Sequence, residues 1–234
     1  MAASTPIPIS TRRGQMTIDL KTDYHAHILP GCDHGSDSVE TSLGQLELAK
    51  AAGVDRICAT PHFYPNNEAV ASFLERRQRT YEELKNAAVG DYPEILLGAE
   101  VLICDGMERL EDLLKLRLEG TKELLLEMPF YEWPSNIWDT VFELNDIDEL
   151  QIVIAHADRY PVKDIETLIK EGIPLQLNAV SLMNVFKRGK YLSWIDGGYV
   201  SYLGSDIHGL GEEYRYFEKC AHLLERRYGK WESA

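Results

Sequence analysis

Basic residues are scarce. Lys and Arg total 24 against 38 Asp and Glu, a formal net charge of −14 over 234 residues. Duplex nucleic-acid binders draw much of their affinity from cations that neutralise phosphates, so this balance argues against that class. It argues equally against a protein that adsorbs to anionic membranes, and it fits one that attracts cations. No apolar run approaches the ~18 residues of a membrane span. Residues 1–15 carry Pro6, Pro8, Arg12 and Arg13 but no apolar core of a secretion signal. We expect a loose tail over residues 1–16, one domain over 17–234, and a cytoplasmic location. Cysteine is sparse too. Cys32, Cys58, Cys104 and Cys220 are widely spaced, with no CxxC pair, and are expected to be reduced thiols. The remaining composition, 44% hydrophobic and 26% charged, is that of an ordinary globular protein. A chain of this length buries roughly 70% of its unfolded surface and needs no staple to fold.

What the sequence does contain is an alternation. Short apolar runs that read as buried strands recur at 17–23, 55–60, 95–100, 122–127, 151–156, 173–178 and 199–204. Between them lie segments with apolar residues every three or four positions, such as Val39, Leu43, Leu46 and Ala49. Asp37 with Glu40 reads as a capping box. Gly53, Gly120, Gly172 and Gly198 fall where helices should end. About seven β–α units follow, and parallel neighbours require such crossovers. The sheet is either open and doubly wound or closed into a barrel. No GxGxxG follows the first strand, which lowers the dinucleotide-binding reading.

The histidines favour the barrel. His25, His27, His34, His62, His156 and His208 lie at or just beyond the ends of expected strands, and only His222 lies mid-helix. Glu100, Glu127 and Asp206 join them at the same level. In a β/α barrel the strand C-termini converge on one face, where active sites are built. His25 and His27 are two apart, so on an extended strand both imidazoles face the same way. Asp206 and His208 repeat the device. Imidazole and carboxylate together suit Zn, Mn or Fe. Nine candidate ligands imply two or three ions, which suits metal-assisted hydrolysis, most plausibly of a phosphate ester. The CxxxxxR match from Cys220 to Arg226 lies in a helical segment without glycine and makes no phosphate cradle. Arg159 is a candidate phosphate clamp or a partner of an acid, and Arg215 a weaker one. Asp33 and Asp158 are candidates for proton donation or for orienting a histidine. Phe63, Tyr64, Phe130, Tyr131 and Trp133 form either an aromatic rim for a ring-bearing substrate or ordinary core.

The motifs DYHAHILPG (23–31), ATPHFYP (59–65), GAEV (98–101), LLLEMPF (124–130), IAHADRY (154–160), QLN (176–178) and GSDIH (204–208) together carry a resemblance. The chain resembles the PHP (polymerase and histidinol phosphatase) superfamily. Within it, the chain is most similar to bacterial manganese-dependent protein-tyrosine phosphatases of capsule and exopolysaccharide biosynthesis. The resemblance implies an α/β fold, a distorted (β/α)7 TIM-like barrel of the PHP type, with a trinuclear metal site. One ion would take His25, His27, Glu100 and Asp206. A second would share Glu100 and add Glu127 and His156. A third would take His34, His62 and His208. Arg159 would bind phosphate, and a bridging hydroxide would attack phosphotyrosine on the tail of a bacterial tyrosine autokinase. Two positions depart from the subfamily pattern. His34 stands where the subfamily carries a ligating Asp, and Glu213 falls near the place of an Arg, with Arg215 two residues on.

Two other readings compete with this one. The first is a PHP phosphatase of a small phosphomonoester such as histidinol phosphate. The second is a metal-bound scaffold with little catalysis. Nine buried polar ligands argue against the scaffold, since burial without a partner is costly.

Overall fold

The computed structural model describes residues 18–229. The tail expected over 1–16 lies outside the described residues. The β-strands are β1 Thr22–Ala26, β2 Arg56–Ala59, β3 His62–Phe63, β4 Glu94–Leu97, β5 Glu100–Leu102, β6 Glu123–Glu127, β7 Gln151–Ile154, β8 Leu175–Asn178 and β9 Val200–Gly204. The helices are α1 Val39–Ala51, α2 Val70–Ala87, α3 Ser135–Asn145, α4 Val162–Lys170, α5 Arg188–Asp196 and α6 Glu213–Tyr228. The alternation read from the sequence is therefore an α/β fold with parallel pairing throughout.

The closed barrel does not appear as one sheet. Among the described residues the strands form a three-stranded sheet, β1-β2-β4, and a six-stranded sheet, β3-β5-β6-β7-β8-β9. Two of the seven expected strands are each split. Pro61, which has no N–H to give the ladder, separates β2 from β3. Gly98 and Ala99 separate β4 from β5. Single bonds cross the break, Gly98 N–H to Ala59 O (2.9 Å) and Glu100 N–H to Pro61 O (3.1 Å), but the ladder does not run through. At the other seam one bridge joins Ala26 of β1 to Ile207, three residues beyond β9. Asp206 sits there in the left-handed region (φ 57°) and turns the chain out of register.

Local boundaries also moved. The first strand starts at Thr22 and not Thr17, because the Asp19 carboxylate accepts from Lys21 N–H (2.8 Å) and the Thr22 hydroxyl (2.6 Å), forming a turn. Helix α1 is capped by Ser38, whose hydroxyl accepts from Thr41 N–H (3.1 Å). The expected cap, Asp37, instead accepts from the Thr41 hydroxyl (2.6 Å). The main core packs the helices onto the sheets through residues such as Leu46, Phe73, Val141, Leu168 and Phe217. A smaller group, Tyr24, Cys58, Val153 and Tyr202, lines the face of the strands that leads to the histidines.

Candidate metal centre

A β-bulge aims the first ligand pair. Asp23 opposes Ile57 and Ala26 opposes Ala59, so three steps of β1 span two of β2. The extra residue lets neighbours Tyr24 and His25 serve one interior. Tyr24 packs on Tyr202 with centroids 4.5 Å apart. His25 reaches Glu100, with Nε2 3.1 Å from Oε2. His27 follows two residues on, and its Nε2 lies 3.1 Å from that of His25. Two glycines make room. A Cβ on Gly204 would stand 2.5 Å from His25 Cβ, and one on Gly35 would stand 2.3 Å from His27 Cβ.

The remaining candidates converge from other strands. His62 on β3 pairs in register with Glu100 on β5. Its Nδ1 lies 3.0 Å from Glu100 Oε2 and 3.8 Å from Glu127 Oε2. His156 Nε2 lies 2.8 Å from Glu100 Oε1 and 3.7 Å from Glu127 Oε1. Asp206 Oδ1 stands 3.5 Å from both His25 and His27 Nε2. The His208 ring lies 4.0 Å from that of His27. His34 is exposed, but its ring stacks 4.5 Å from His62 and lies 5.0 Å from His208. Donor atoms close enough to share an ion form three sets: His25, His27, Asp206; His62, Glu100, Glu127; and His27, His62, His208. His34 and His156 adjoin these sets without belonging to them.

A second layer fixes the first. The Asp33 carboxylate accepts from His27 Nδ1–H (2.7 Å), from His62 N–H (2.9 Å) and from Gly35 N–H (2.9 Å). His27 holds it well below the ordinary carboxylate range despite burial, and the contact places it to orient that histidine. Gln176 Oε1 accepts from His25 Nδ1–H (3.2 Å) and His156 N–H (2.5 Å). Its Nε2 donates to Asn178 Oδ1 (2.9 Å), and Asn178 Nδ2 donates to Asp206 Oδ2 (3.0 Å). Both imidazoles thus spend their Nδ1 protons outward and turn Nε2 lone pairs toward each other. Gln176 and Asn178 stand in the QLN motif but carry no assigned role in the sequence reading. Their signal was the i, i+2 polar spacing on a strand buried on both faces.

The arrangement fits divalent cations. Glu100 Oε2, His62 Nδ1 and His156 Nδ1 are buried without a hydrogen bond. Two lone pairs 3.1 Å apart beside an unbonded carboxylate oxygen repel unless a positive charge lies between them. Burial lowers the pKa of His25, yet Glu100 and Asp206 outweigh it and raise it, the same negative field that draws a cation to this point. Burial, with repulsion from Glu100, pushes Glu127 up to about 7. Burial drops His62 to about 3, so it is neutral and ready to ligate. His156 (φ 30°) and Asp206 (φ 57°) are non-glycine residues in the left-handed region. Such backbone costs about 1–3 kcal/mol each and clusters at functional sites.

The Arg159 guanidinium pairs with Asp206 at the edge of this cluster and is 43% exposed. Asp158 accepts from Asn178 N–H (2.9 Å), which supports β8. Arg215 is not brought in. It pairs with Glu212 at 2.5 Å on the exposed start of α6, because one helical turn carries the side chain along the surface. The aromatic rim is smaller than expected. Phe63 is fully buried against Phe73, and Trp133 is buried with its indole N–H on Pro129 O (2.8 Å). Tyr64 stays beside His62 (5.5 Å), and exposed Phe130 stacks 5.9 Å from His156. The four cysteines are free, and none belongs to the donor sets.

Comparison with known proteins gives a fold and a family. A solved structure from the work on YwqE from Bacillus subtilis and CpsB from Streptococcus pneumoniae, described as unique metal-dependent tyrosine phosphatases, superposes with TM-score 0.73. It shares 24% identity and covers 89% of this chain and 88% of that one, a likeness of fold. A beta-aspartyl dipeptidase from Fervidobacterium islandicum AW-1 is more distant, at 10% identity, TM-score 0.45 and 80% of this chain against 60% of that one. No curated protein matches in sequence. Residues 21–233, nearly the whole chain, match the family described as capsular polysaccharide synthesis, CpsB/CapC, and the chain belongs to that family.

Proposed function

We propose that this chain is a metal-dependent protein-tyrosine phosphatase. It holds two or three divalent ions, with manganese foremost and iron or zinc as alternatives. The observation that carries the reading is the meeting of His25 Nε2, His27 Nε2 and His62 Nδ1 around Glu100 Oε2, which has no hydrogen bond. We assign His25, His27, His62, Glu100, Glu127, His156, Asp206 and His208 as ligands, with His34 closing the outermost position. Bound there, the ions supply a water of lowered pKa as nucleophile and neutralise charge on the phosphoryl oxygens.

The chain's own groups do the rest. Arg159 binds a phosphoryl oxygen through the face of its guanidinium not spent on Asp206. Asp33 and Gln176 hold His27 and His25 in the tautomers that leave Nε2 free. Phe130 offers an aromatic face beside His156 for the tyrosyl ring. The leaving phenol, with a pKa of about 10, needs little help from a proton donor. Seven strand runs in sequential order around this cluster, joined at the Ala26–Ile207 bridge, support a distorted PHP-type barrel over 17–234 as one catalytic domain. Membership of a capsular-synthesis family supports the tail of a tyrosine autokinase as substrate. Free cysteines support a cytoplasmic setting, and no described helix is long and apolar enough to cross a membrane.

Turnover of a phosphotyrosine peptide and of histidinol phosphate, each with manganese and with chelator, tests this. We expect metal-dependent turnover of the peptide. Turnover of histidinol phosphate alone would refute the tyrosine-phosphatase reading.

A further inference from the structure

Among the described residues, six of the ten exposed large apolar side chains follow the C-terminal ends of three strands. Phe130 and Tyr131 follow β6, Val180, Val185 and Phe186 follow β8, and Leu210 follows β9. They lie beyond the C-terminal ends of β6, β8 and β9, where Glu127 ends β6 and Asp206 follows β9. Phe186 is 96% exposed. Apolar side chains concentrated in one region mark contact surfaces, whereas scattered ones need no explanation. Beside them runs a groove of about 420 Å³. Asp158, Val180, Met183, Lys187, Tyr191 and Tyr216 of α6 are among the residues that line it. Asp158 links the groove to the metal centre, since it accepts from Asn178 N–H and the Asn178 amide donates to Asp206.

Charge identifies the occupant. The chain as a whole repels acidic ligands, at −14. Yet the wall of the groove continues into Lys187, Arg188 and Lys190, and among the described residues none of these has an ion-pair partner. Lys190 lies over the rings of Trp194 (5.2 Å) and Tyr191 (5.3 Å), which holds this basic edge in place. Glu212, next to the groove residue Tyr216 on α6, is occupied by Arg215 and by the Tyr216 hydroxyl. A local basic edge on an acidic protein is where an acidic segment is steered and held.

We propose that this groove docks the polypeptide flanking the phosphotyrosine. Acidic residues lie along Lys187 and Arg188, and an apolar side chain lies on Phe186 and Val185. The inference rests on the phosphatase reading and adds a specificity surface to it. Lys187 and Phe186 are exposed, so their replacement leaves the fold intact.

The manganese-loaded full chain is assayed on three substrates: p-nitrophenyl phosphate, a phosphotyrosine peptide flanked by aspartates, and the same peptide with lysines in their place. Wild type should prefer the aspartate peptide, and added salt should erase the preference. Lys187→Glu should lower kcat/KM for the aspartate peptide about tenfold, the size expected for reversing an exposed ion pair, and leave p-nitrophenyl phosphate unchanged. Phe186→Ala should raise KM for both peptides. Equal use of the two peptides by wild type and Lys187→Glu, with normal ester turnover, overturns the docking surface alone. A changed oligomeric state in Phe186→Ala with unaltered peptide kinetics assigns the face to a second copy and overturns it as well. No ester turnover with any metal removes the phosphatase reading and this inference together.

Discussion

The side-chain carbonyl of Gln176 accepts from Nδ1–H of His25 at 3.2 Å while it also accepts from the backbone N–H of His156 at 2.5 Å. One amide from β8 thus sets the tautomer of a residue on β1 and pins the strained residue after β7. Gln176→Leu should weaken metal binding roughly 10- to 100-fold, the usual cost of losing an outer-shell partner. Competition with a chelating dye measures it. Gln176→Glu, which keeps an acceptor, should retain more affinity than Gln176→Leu. Equal affinity in all three proteins would refute the role.

Gly204 marks the closest backbone approach to His25. Gly204→Ala would place Cβ 2.5 Å from His25 Cβ and 2.6 Å from Gln176 Nε2. Overpacking of this kind costs about 1–3 kcal/mol. A lower denaturant midpoint together with reduced bound metal is the expected result.

Among the histidines, His27 has both ring nitrogens engaged in the cluster, whereas His34 stacks at its exposed edge. His34→Ala should lose about one ion per chain and keep the inner set. His27→Ala should lose more, since His27 belongs to two donor sets. Elemental analysis of the purified variants decides between them.

Arg159→Ala should leave bound metal unchanged and slow phosphotyrosine turnover by roughly a hundredfold, the scale of one lost charge-stabilising donor. Arg159→Lys should not restore it, because an ammonium lacks the planar fork. Loss of metal in Arg159→Ala would instead make the arginine a structural partner of Asp206.

Removing metal should destabilise the fold. A ligand at a hundred times its Kd stabilises by about 2.7 kcal/mol. In a chain of this size that corresponds to a fall in Tm of roughly 5–10 °C on chelation. Calorimetry with and without chelator checks it, and an unchanged Tm would mean that no ion is resident.

Much of the site was legible because strands alternate and ligands sit at their ends. His25 and His27 at i, i+2 do converge, and Glu100, Glu127, His156 and Asp206 do meet them. Arg215 pairs with Glu212 on the surface, and spacing after SDxH says nothing of which way a helical side chain swings. Phe63 and Trp133 were ambiguous because an aromatic after a ligand packs inward or outward according to neighbours that the local sequence does not name.

The sequence by itself determined the parallel α/β order, the acidic charge and an inventory of nine candidate ligands, all of which follow from local periodicity and residue chemistry. Tertiary structure alone decided the split at Pro61 and Gly98, the bulge that turns His25 inward, and the amide chain from Gln176 through Asn178 to Asp206. Register, tautomer and close approach arise between strands distant in sequence, and only when those strands are brought together does each side chain acquire the neighbour that fixes its role.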